Sequence, residues 1–306
     1  MTKAVLAMTG ATGFVGGATL ARAVAAGWHV RALTRRPQPE REGVTWIAGA
    51  LDRPDALAAM AQGSDAVMHI AGVVNVPTRA DFEAGNATAT RHVVDAARAA
   101  GVARFVHVSS LAAREAELSN YSWSKARAEA IVRDSGLDWT IVRPPAVFGP
   151  GDAEMLDLFR MARRGIALLP PAGRMSAIYV DELARLLVAL AADRGASIGQ
   201  IYEPDDGEPG GWTHRAFARA IGRAVGRGRV STLAIPAALL KAGGRLDPLL
   251  RRGRAKLTPD RARYIAHPDW VVAGGACPPR DLWQPEIATD DALAETVRWY
   301  RREGWL

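Results

Sequence analysis

Short apolar segments of strand length alternate with helical patterns throughout the first half of the chain. The strand segments are rich in Val and Ile, and small or apolar residues recur three and four positions apart between them. This alternation is typical of βαβ units that feed one parallel sheet, so we expect a doubly wound α/β fold. The predicted strands are 4–9, 29–34, 44–48, 66–71, 104–109 and 139–143, and the predicted helices are 13–26, 54–61, 81–100 and 121–135.

The regular alternation ends after the segment RPPAVFGPG at 143–151, where Pro and Gly become more frequent and the loops lengthen. We therefore expect a first domain over residues 1–150 and a smaller C-terminal domain over most of 151–306. The apolar segment at 176–193 is expected to pack back on the first domain.

A glycine-rich turn, TGATGFVG at 9–16, follows the first predicted strand and opens the first predicted helix. Gly10, Gly13 and Gly16 provide a tight turn and let a ligand approach the backbone, and the following helix start offers free amide groups. This position at the start of a βαβ array predicts a site for the pyrophosphate of a dinucleotide rather than an ordinary turn.

The second predicted strand ends at Thr34, and Arg35 and Arg36 follow. An acidic residue here would bond the ribose hydroxyls of NAD, whereas guanidinium groups suit the 2′-phosphate of NADP. The sequence therefore favours NADP over NAD, with two arginines that only coat a surface loop as the alternative.

The segment YSWSK at 121–125 places Tyr121 and Lys125 four residues apart at the start of a predicted helix. That spacing puts both side chains on one helix face, so an ammonium near the phenol would favour its ionised form. General acid/base work by a tyrosine needs such help, because its ordinary pKa is near ~10. The pair follows a strand that ends in Ser109 and Ser110.

Together these motifs resemble the short-chain dehydrogenase/reductase superfamily, in its extended branch of NAD(P)-dependent epimerases, dehydratases and reductases. The resemblance covers nearly the whole chain and implies a Rossmann domain followed by a small substrate-binding domain. The motifs that carry it are TGATGFVG, HIAG at 69–72, NATAT at 86–90, VSS, YxxxK, RPPAVFGPG, YVDELA at 179–184 and a Trp-rich C-terminal helix.

The resemblance implies roles for individual residues. Tyr121 would be the acid/base, Lys125 would lower its pKa and hold the nicotinamide ribose, and Ser110, or else Ser109, would bond the substrate oxygen. Asn86 would order a strand or a water beneath the site, or have a structural duty alone. The residues expected along the cofactor are Gly10, Thr12, Gly13, Phe14, Val15, Gly16, Thr34, Arg35, Arg36, Asp52, Ala71, Gly72, Ser109, Tyr121, Lys125, Pro144, Pro145 and Val147.

Several positions depart from the family pattern. Where many relatives carry Asp-Leu to hold adenine, this chain has Leu51 and then Asp52, and Tyr179 replaces a usual His. The residue after Ser110 is Leu111 and not the acid that a dehydratase needs. We expect an NADP-dependent oxidoreductase acting on a carbonyl or alcohol, with a sugar-nucleotide epimerase and a non-catalytic NADPH-binding sensor or assembly protein as alternatives.

Composition sets the remaining expectations. The chain of 306 residues is 49% apolar and 23% charged, which is typical of a globular protein. We recognise no signal peptide or membrane-spanning segment in the sequence, so we expect a cytoplasmic protein. The single cysteine and the scattered histidines predict neither a disulfide nor a metal site. Despite a net charge of +7, basic and aromatic residues do not interleave, so we expect a small-molecule substrate and no nucleic acid; a homodimer stays open.

The same net charge draws attention to a basic, apolar stretch at 233–254, which ends in the cluster 251–254. Its composition suits an amphipathic helix at a membrane surface. We expect neither a continuous helix nor a membrane role there, because four helix-breaking residues interrupt the pattern: Pro236, Gly243, Gly244 and Pro248.

Overall fold

The computed structural model describes residues 3–251 and 257–306, with the backbone alone for 248–251. The chain divides into two compact units. The first consists of Met1–Pro144, Leu183–Glu203 and Pro278–Gln284, and the second consists of Pro145–Glu182, Pro204–Cys277 and Pro285–Leu306.

The first unit contains a parallel sheet of seven strands, as the doubly wound α/β prediction requires. Six strands match predicted segments, and their observed ends differ from the predicted ones by two residues at most. The seventh, β11, was not predicted, and it pairs with β6 at one edge of the sheet. The strands are β1 Val5–Thr9, β2 His29–Thr34, β3 Val44–Ala48, β4 Ala66–His69, β5 Arg104–Val108, β6 Asp138–Val142 and β11 Gln200–Tyr202, in the spatial order β11-β6-β5-β4-β1-β2-β3.

The helices of this unit connect the parallel strands. One predicted helix, 81–100, is instead three consecutive pieces, because the segment Glu83–Thr88 is π-helical. The wider π turn changes which side chains face the sheet, and the change cannot be seen in a 3.6-residue pattern. The helices are α1 Phe14–Ala25, α2 Pro54–Ala61, α3 Arg79–Phe82, α4 Ala89–Ala99, α5 Asn120–Arg133 and α7 Val180–Ala192, which continues from the second unit.

A buried arginine forms hydrogen bonds to several elements near one edge of this sheet. Arg104, at the start of β5, is 1% exposed. Its guanidinium donates to the carbonyl oxygens of Leu190 and Asp138 and to the hydroxyls of Thr140 and Ser197, at 2.7–3.0 Å. Burial lowers the pKa of Arg104 to about 10. These bonds join α7 and the turn before β11 to the central strands, which positions the unpredicted seventh strand.

The second unit is built from shorter elements. Its strands form small sheets: β10 pairs with β7, β13 pairs with β8, and β9 lies between β12 and β14. The strands are β7 Ala146–Phe148, β8 Ile166–Leu169, β9 Arg174–Met175, β10 Ala177–Tyr179, β12 Trp212–Thr213, β13 Ser231–Ala234 and β14 Asp269–Trp270, and the helices are α6 Leu156–Arg163, α8 His214–Ala224, α9 Ala237–Arg251, α10 Pro259–Ala266 and α11 Thr289–Arg302.

Helix α9 corrects the expectation that the stretch 233–254 is interrupted. It begins directly after Pro236 and continues through Gly243, Gly244 and Pro248. A Cβ on Gly244 would lie 3.0 Å from the Thr258 carbonyl oxygen, so this glycine permits close packing of α10 rather than ending the helix. Of the predicted basic cluster, residues 252–254 lie outside the described residues. Within the described part of the chain, no helix is long and apolar enough to cross a membrane.

Candidate active site

The glycine turn between β1 and α1 is shaped by contacts that leave no room for side chains. Gly10 has a φ of 77°, and a Cβ on it would lie 2.7 Å from the backbone nitrogen of Ala71. A Cβ on Gly16 would lie 1.9 Å from the Gly10 oxygen, so α1 packs directly on the turn. A Cβ on Gly13 would meet the same oxygen at 3.3 Å and no other described atom within 4 Å. Gly13 therefore faces open space.

The start of α1 fits the pyrophosphate of a dinucleotide. Gly13 is its N-cap, no side chain caps the first amides, and no acidic residue lies in the first turn. Thr12 and Gly13 are exposed, while Phe14 and Val15 are half-buried. Free amides and the helix dipole favour an anion at such an end. The predicted residues at the start of α1 thus provide backbone amides that could bind a pyrophosphate.

Asn86 fixes the chain that follows β4. Its Oδ1 accepts a hydrogen bond from the Val73 amide at 2.8 Å, and its Nδ2 donates to the Val73 oxygen and to Ser124 Oγ at 3.0 and 2.9 Å. A Cβ on Gly72 would lie 2.9 Å from Asn86 Oδ1 and 3.8 Å from Lys125 Nζ. Asn86 therefore holds the segment after β4 beside Lys125, and the role in the site that the resemblance implies for it stays a prediction.

Ser110 and Tyr121 are joined by a side-chain hydrogen bond. Ser110 follows β5 and caps the short 3-10 helix Leu111–Glu115, and Tyr121 is the second residue of α5. Burial raises the pKa of Tyr121, and the Ser110 bond opposes that rise only in part. The sequence predicted a pKa lowered by Lys125. The net direction is the opposite, because burial of the phenol dominates.

Lys125 lies on α5 four residues after Tyr121 and is buried. Its Nζ donates a hydrogen bond to the Val108 oxygen at 2.9 Å. Burial lowers the pKa of Lys125 to about 8, while the negative charge of Glu129 raises it. The lysine therefore remains mostly an ammonium at neutral pH.

A buried ion-pair network beneath this site was not predicted. Glu129 accepts hydrogen bonds from Ser109 Oγ at 2.6 Å and from Arg143 Nε and Nη2 at 2.8 and 2.6 Å. Glu203 bridges Arg143 and Arg114 at 3.3 Å each. Ser109 is thus committed to Glu129, and Ser110 is the serine that meets Tyr121. The four-residue spacing of Lys125 and Glu129 is the one sequence pattern that could have indicated the network.

Of the predicted adenine-side residues, Thr34 is buried at the end of β2 and the others lie on exposed loops. Thr34, at the end of β2, donates through Oγ1 to the Arg36 oxygen at 2.7 Å and accepts from the Arg36 amide at 3.3 Å, which shapes the loop. The side chains of Arg35 and Arg36 are exposed, as is Asp52 in the turn after β3. Their contacts with a cofactor stay predictions.

The segment expected against the nicotinamide passes from the first unit to the second. Pro144 belongs to the first unit, where its oxygen accepts a hydrogen bond from the Leu111 amide at 3.0 Å. Pro145 and Val147 belong to the second, where Val147 in β7 pairs with Ile178 in β10. The roles assigned to these residues also stay predictions.

Two histidines lie side by side on β4 and β5. His69 and His107 stack with ring centroids 5.3 Å apart, and the His69 nitrogens contact the hydroxyls of Thr9 and Thr90 at 2.7 and 3.0 Å. Burial, and secondarily the Lys125 ammonium, lower the pKa of His69 to about 3 and that of His107 well below its usual value. No group of three metal-binding side chains occurs among the described residues.

Comparison with known proteins adds to this geometry. A model of a family described as NAD(P)H-binding matches residues 10–193, more than half of the chain. The chain belongs to this family. The chain shares its fold with a human epimerase family protein, SDR39U1 isoform 2, solved with NADPH. That structure has a TM-score of 0.72 and 21% identity, and the match covers 96% of this chain and 99% of that one.

Relatives in this NAD(P)H-binding family are named reductases. A ceramide reductase of Caulobacter vibrioides is 37% identical over 99% of this chain and 96% of its own length. A 2-alkyl-3-oxoalkanoate reductase of Stenotrophomonas maltophilia is 31% identical over 94% of this chain and 96% of its own length. The chain is therefore a nicotinamide-cofactor oxidoreductase of this family.

Proposed function

We propose that the chain is an NADPH-dependent reductase that converts a ketone in a long-chain lipid into an alcohol. The observation that carries the proposal is that Tyr121 and Lys125 lie one turn apart on α5, which packs against the short 3-10 helix capped by Ser110. Asn86 and Gly72 bring the end of β4 next to the Lys125 ammonium. This arrangement supports Tyr121 as the proton donor, Ser110 as the hydroxyl that binds the substrate oxygen and Lys125 as the nearby cation.

The proposed reaction is a reduction in which Tyr121 is the proton donor. A bound nicotinamide supplies a hydride to the carbonyl carbon of the substrate. The Tyr121 hydroxyl donates its proton to the carbonyl oxygen, which also accepts a hydrogen bond from Ser110. Because burial raises the pKa of Tyr121, the phenol is protonated at neutral pH, and this is the form that a reductase needs before each turnover. The Lys125 ammonium stabilises the phenolate that remains and bonds the nicotinamide ribose.

The cofactor preference is proposed to follow from the loop after β2. Arg35 and Arg36 are exposed there, and the Thr34 side chain holds the loop by bonding the Arg36 backbone. Two guanidinium groups at this end of the strand suit a 2′-phosphate, whereas an acid would suit the free hydroxyls of NADH. We therefore assign NADPH.

The substrate class is drawn from the relatives. Ceramide and 2-alkyl-3-oxoalkanoates both carry alkyl chains, and the second name specifies an oxo group. The chain also departs from sugar-nucleotide enzymes at two points. Leu111 replaces a dehydratase acid, and the short segment between Ser110 and Tyr121 has little room for a long substrate loop.

The test is a reductase assay that follows NADPH absorbance with 3-oxo lipids of increasing chain length and with keto and alcohol forms of sugar nucleotides. We expect kcat/KM to rise with chain length. Tyr121→Phe should lose about 100-fold to 10,000-fold in kcat with NADPH affinity nearly unchanged, because the lost phenol hydroxyl serves the substrate. Full activity in this variant would remove the mechanism, and NADPH oxidation with keto sugar nucleotides alone would replace the lipid substrate with a sugar nucleotide.

A further inference from the structure

Most of the large apolar side chains that are exposed in the described part of the chain lie on three elements of the second unit, two of which pair in one sheet. Six large apolar residues are exposed in the described part of the chain, and five of them lie on β8, β13 and α9. Val74, in the first unit, is the sixth. We refer to the five as the leucine-rich surface, which consists of Ile166, Leu168, Leu233, Leu239 and Leu246.

The strand part of this surface is one face of a two-stranded sheet. Residues of β8 alternate between exposed and buried, with Ile166 and Leu168 exposed and Leu169 buried. In the parallel pairing of β8 and β13, Leu233 lies opposite Leu168. Leu233 is 60% exposed, so the pair presents apolar side chains to solvent rather than to a core. The solvent face of a sheet in a globular protein is usually polar.

The helical part of the surface is a stripe on α9. Leu239, Ala242 and Leu246 are exposed and lie three and four residues apart, which places them on one side of the helix. Leu240 and Gly244 are buried instead, and Gly244 packs against α10. The exposed stripe therefore does not belong to the packing of α9 in its own unit.

The ionisable residues on these elements and in the segments just before them are almost all cationic. Lys241 and Arg245 are exposed and border the α9 stripe one turn apart. Arg163 and Arg164 precede β8, and Arg227 and Arg229 precede β13, and all four are exposed. The one acid within residues 163–170 and 227–247 is Asp247, which is half-buried and accepts a hydrogen bond from the Leu257 amide.

We infer that the leucine-rich surface docks on an anionic lipid bilayer. Apolar side chains flanked by Lys and Arg bind such an interface by burying the apolar groups among the acyl chains and placing the cations at the headgroup phosphates. The long stems of Lys241 and Arg245 let their charges reach the headgroups while Leu239 and Leu246 insert. This inference concerns binding and is independent of the proposed reductase activity.

Charge decides against a second copy of the chain as the occupant. In a twofold interface the same surface patch lies on both partners, so the six cations of one copy would face the six of the other. Like charges across an interface oppose association, whereas anionic headgroups attract the same cations.

The test is cosedimentation of the full chain with vesicles of phosphatidylcholine alone and of phosphatidylcholine with about one third phosphatidylglycerol. We expect binding to the anionic vesicles that weakens as salt rises from about 0.1 M to 0.5 M. The double variant Leu239→Gln/Leu246→Gln should bind at least about tenfold more weakly, and Lys241→Gln should lose about fivefold for its single charge. Val74→Ser removes an equally exposed apolar side chain outside the surface and serves as the matched control.

Circular dichroism would verify folding, and Leu233→Thr replaces the double variant if that variant is unfolded. Failure of the unmodified chain to bind anionic vesicles would overturn the inference, as would equal weakening by Val74→Ser. A dimer seen by light scattering that the double variant abolishes, without vesicle binding, would assign the surface to a contact between copies instead. Vesicle binding by a chain that reduces no lipid ketone would leave the docking intact and remove only the proposed function.

Discussion

At the scale of single residues, the site is governed by opposing electrostatic effects on two neighbouring groups. Burial raises the pKa of Tyr121 and lowers that of Lys125 to about 8, so it favours the neutral form of both. Glu129 counteracts this effect for Lys125. Because Glu129 is 2% exposed and held by Ser109 and Arg143, its charge is fixed in place. We regard Glu129 as a positioning residue that helps to keep the lysine cationic.

This assignment predicts that Glu129→Gln lowers the pKa of Lys125 further. NADPH affinity should then begin to fall at a lower pH than in the unmodified protein, because the uncharged lysine no longer attracts the cofactor. Fluorescence titration of NADPH at a series of pH values measures the shift, which should be on the order of one pH unit.

Glu203→Gln is the matched control for this prediction. It also removes a carboxylate from the Arg143 network, but Glu203 does not contribute to the pKa of Lys125. Both variants should lose stability, by roughly 3 kcal/mol for breaking a buried pair. The same shift to lower pH in both variants would show that the network acts only through the fold.

At the scale of elements, the predicted and observed strands and helices agree where one periodicity of apolar residues runs through the whole element. Strands such as Val5–Thr9 were predictable because the interior of a parallel sheet requires nearly continuous apolar runs. The three residues of β11 are too short to give such a run, and their position depends on Arg104, which is distant in sequence. The π-helical turn that contains Asn86 and the ion pairs of Glu129 depend on contacts between residues that are distant in sequence. The sequence therefore indicated Ser110, Tyr121, Lys125 and Asn86, but neither the π-helical turn nor the ion pairs.

The loop after β2 carries the prediction on cofactor preference. Arg35→Asp replaces a cation that suits the 2′-phosphate with an acid that bonds ribose hydroxyls and repels phosphate. The ratio of NADPH to NADH affinity should fall by about tenfold or more, as expected for losing a charged hydrogen bond at a phosphate. Calorimetry with both cofactors measures the ratio, and tighter NADH binding by the unmodified protein would contradict the assignment. Arg41→Asp, a more distant substitution of the same charge, is the control.

At the scale of the whole molecule, the two histidines in the sheet make the fold sensitive to acid. The pKa of His69 is about 3 in the folded protein, and that of His107 is also well below the value near 6.5 of an unfolded chain. The unfolded state therefore binds more protons as the pH falls below about 6.5, so the free energy of unfolding decreases. Asp152 acts in the opposite direction, because burial raises its pKa to about 6 and protonation then favours the folded state.

Replacing His107 isolates its share of this acid sensitivity. Among the described residues neither of its ring nitrogens has a hydrogen-bond partner, so His107→Leu removes polar atoms that burial penalises, along with a titrating group. Urea unfolding followed by circular dichroism should show a free energy of unfolding that falls by about 2 kcal/mol less between pH 8 and pH 5 than in the unmodified protein. The contribution of Asp152 cancels in this difference. His107→Gln should give the same flatter pH dependence at lower overall stability, since it keeps unpaired polar atoms, and an unchanged slope in both variants would contradict the role of the buried imidazole.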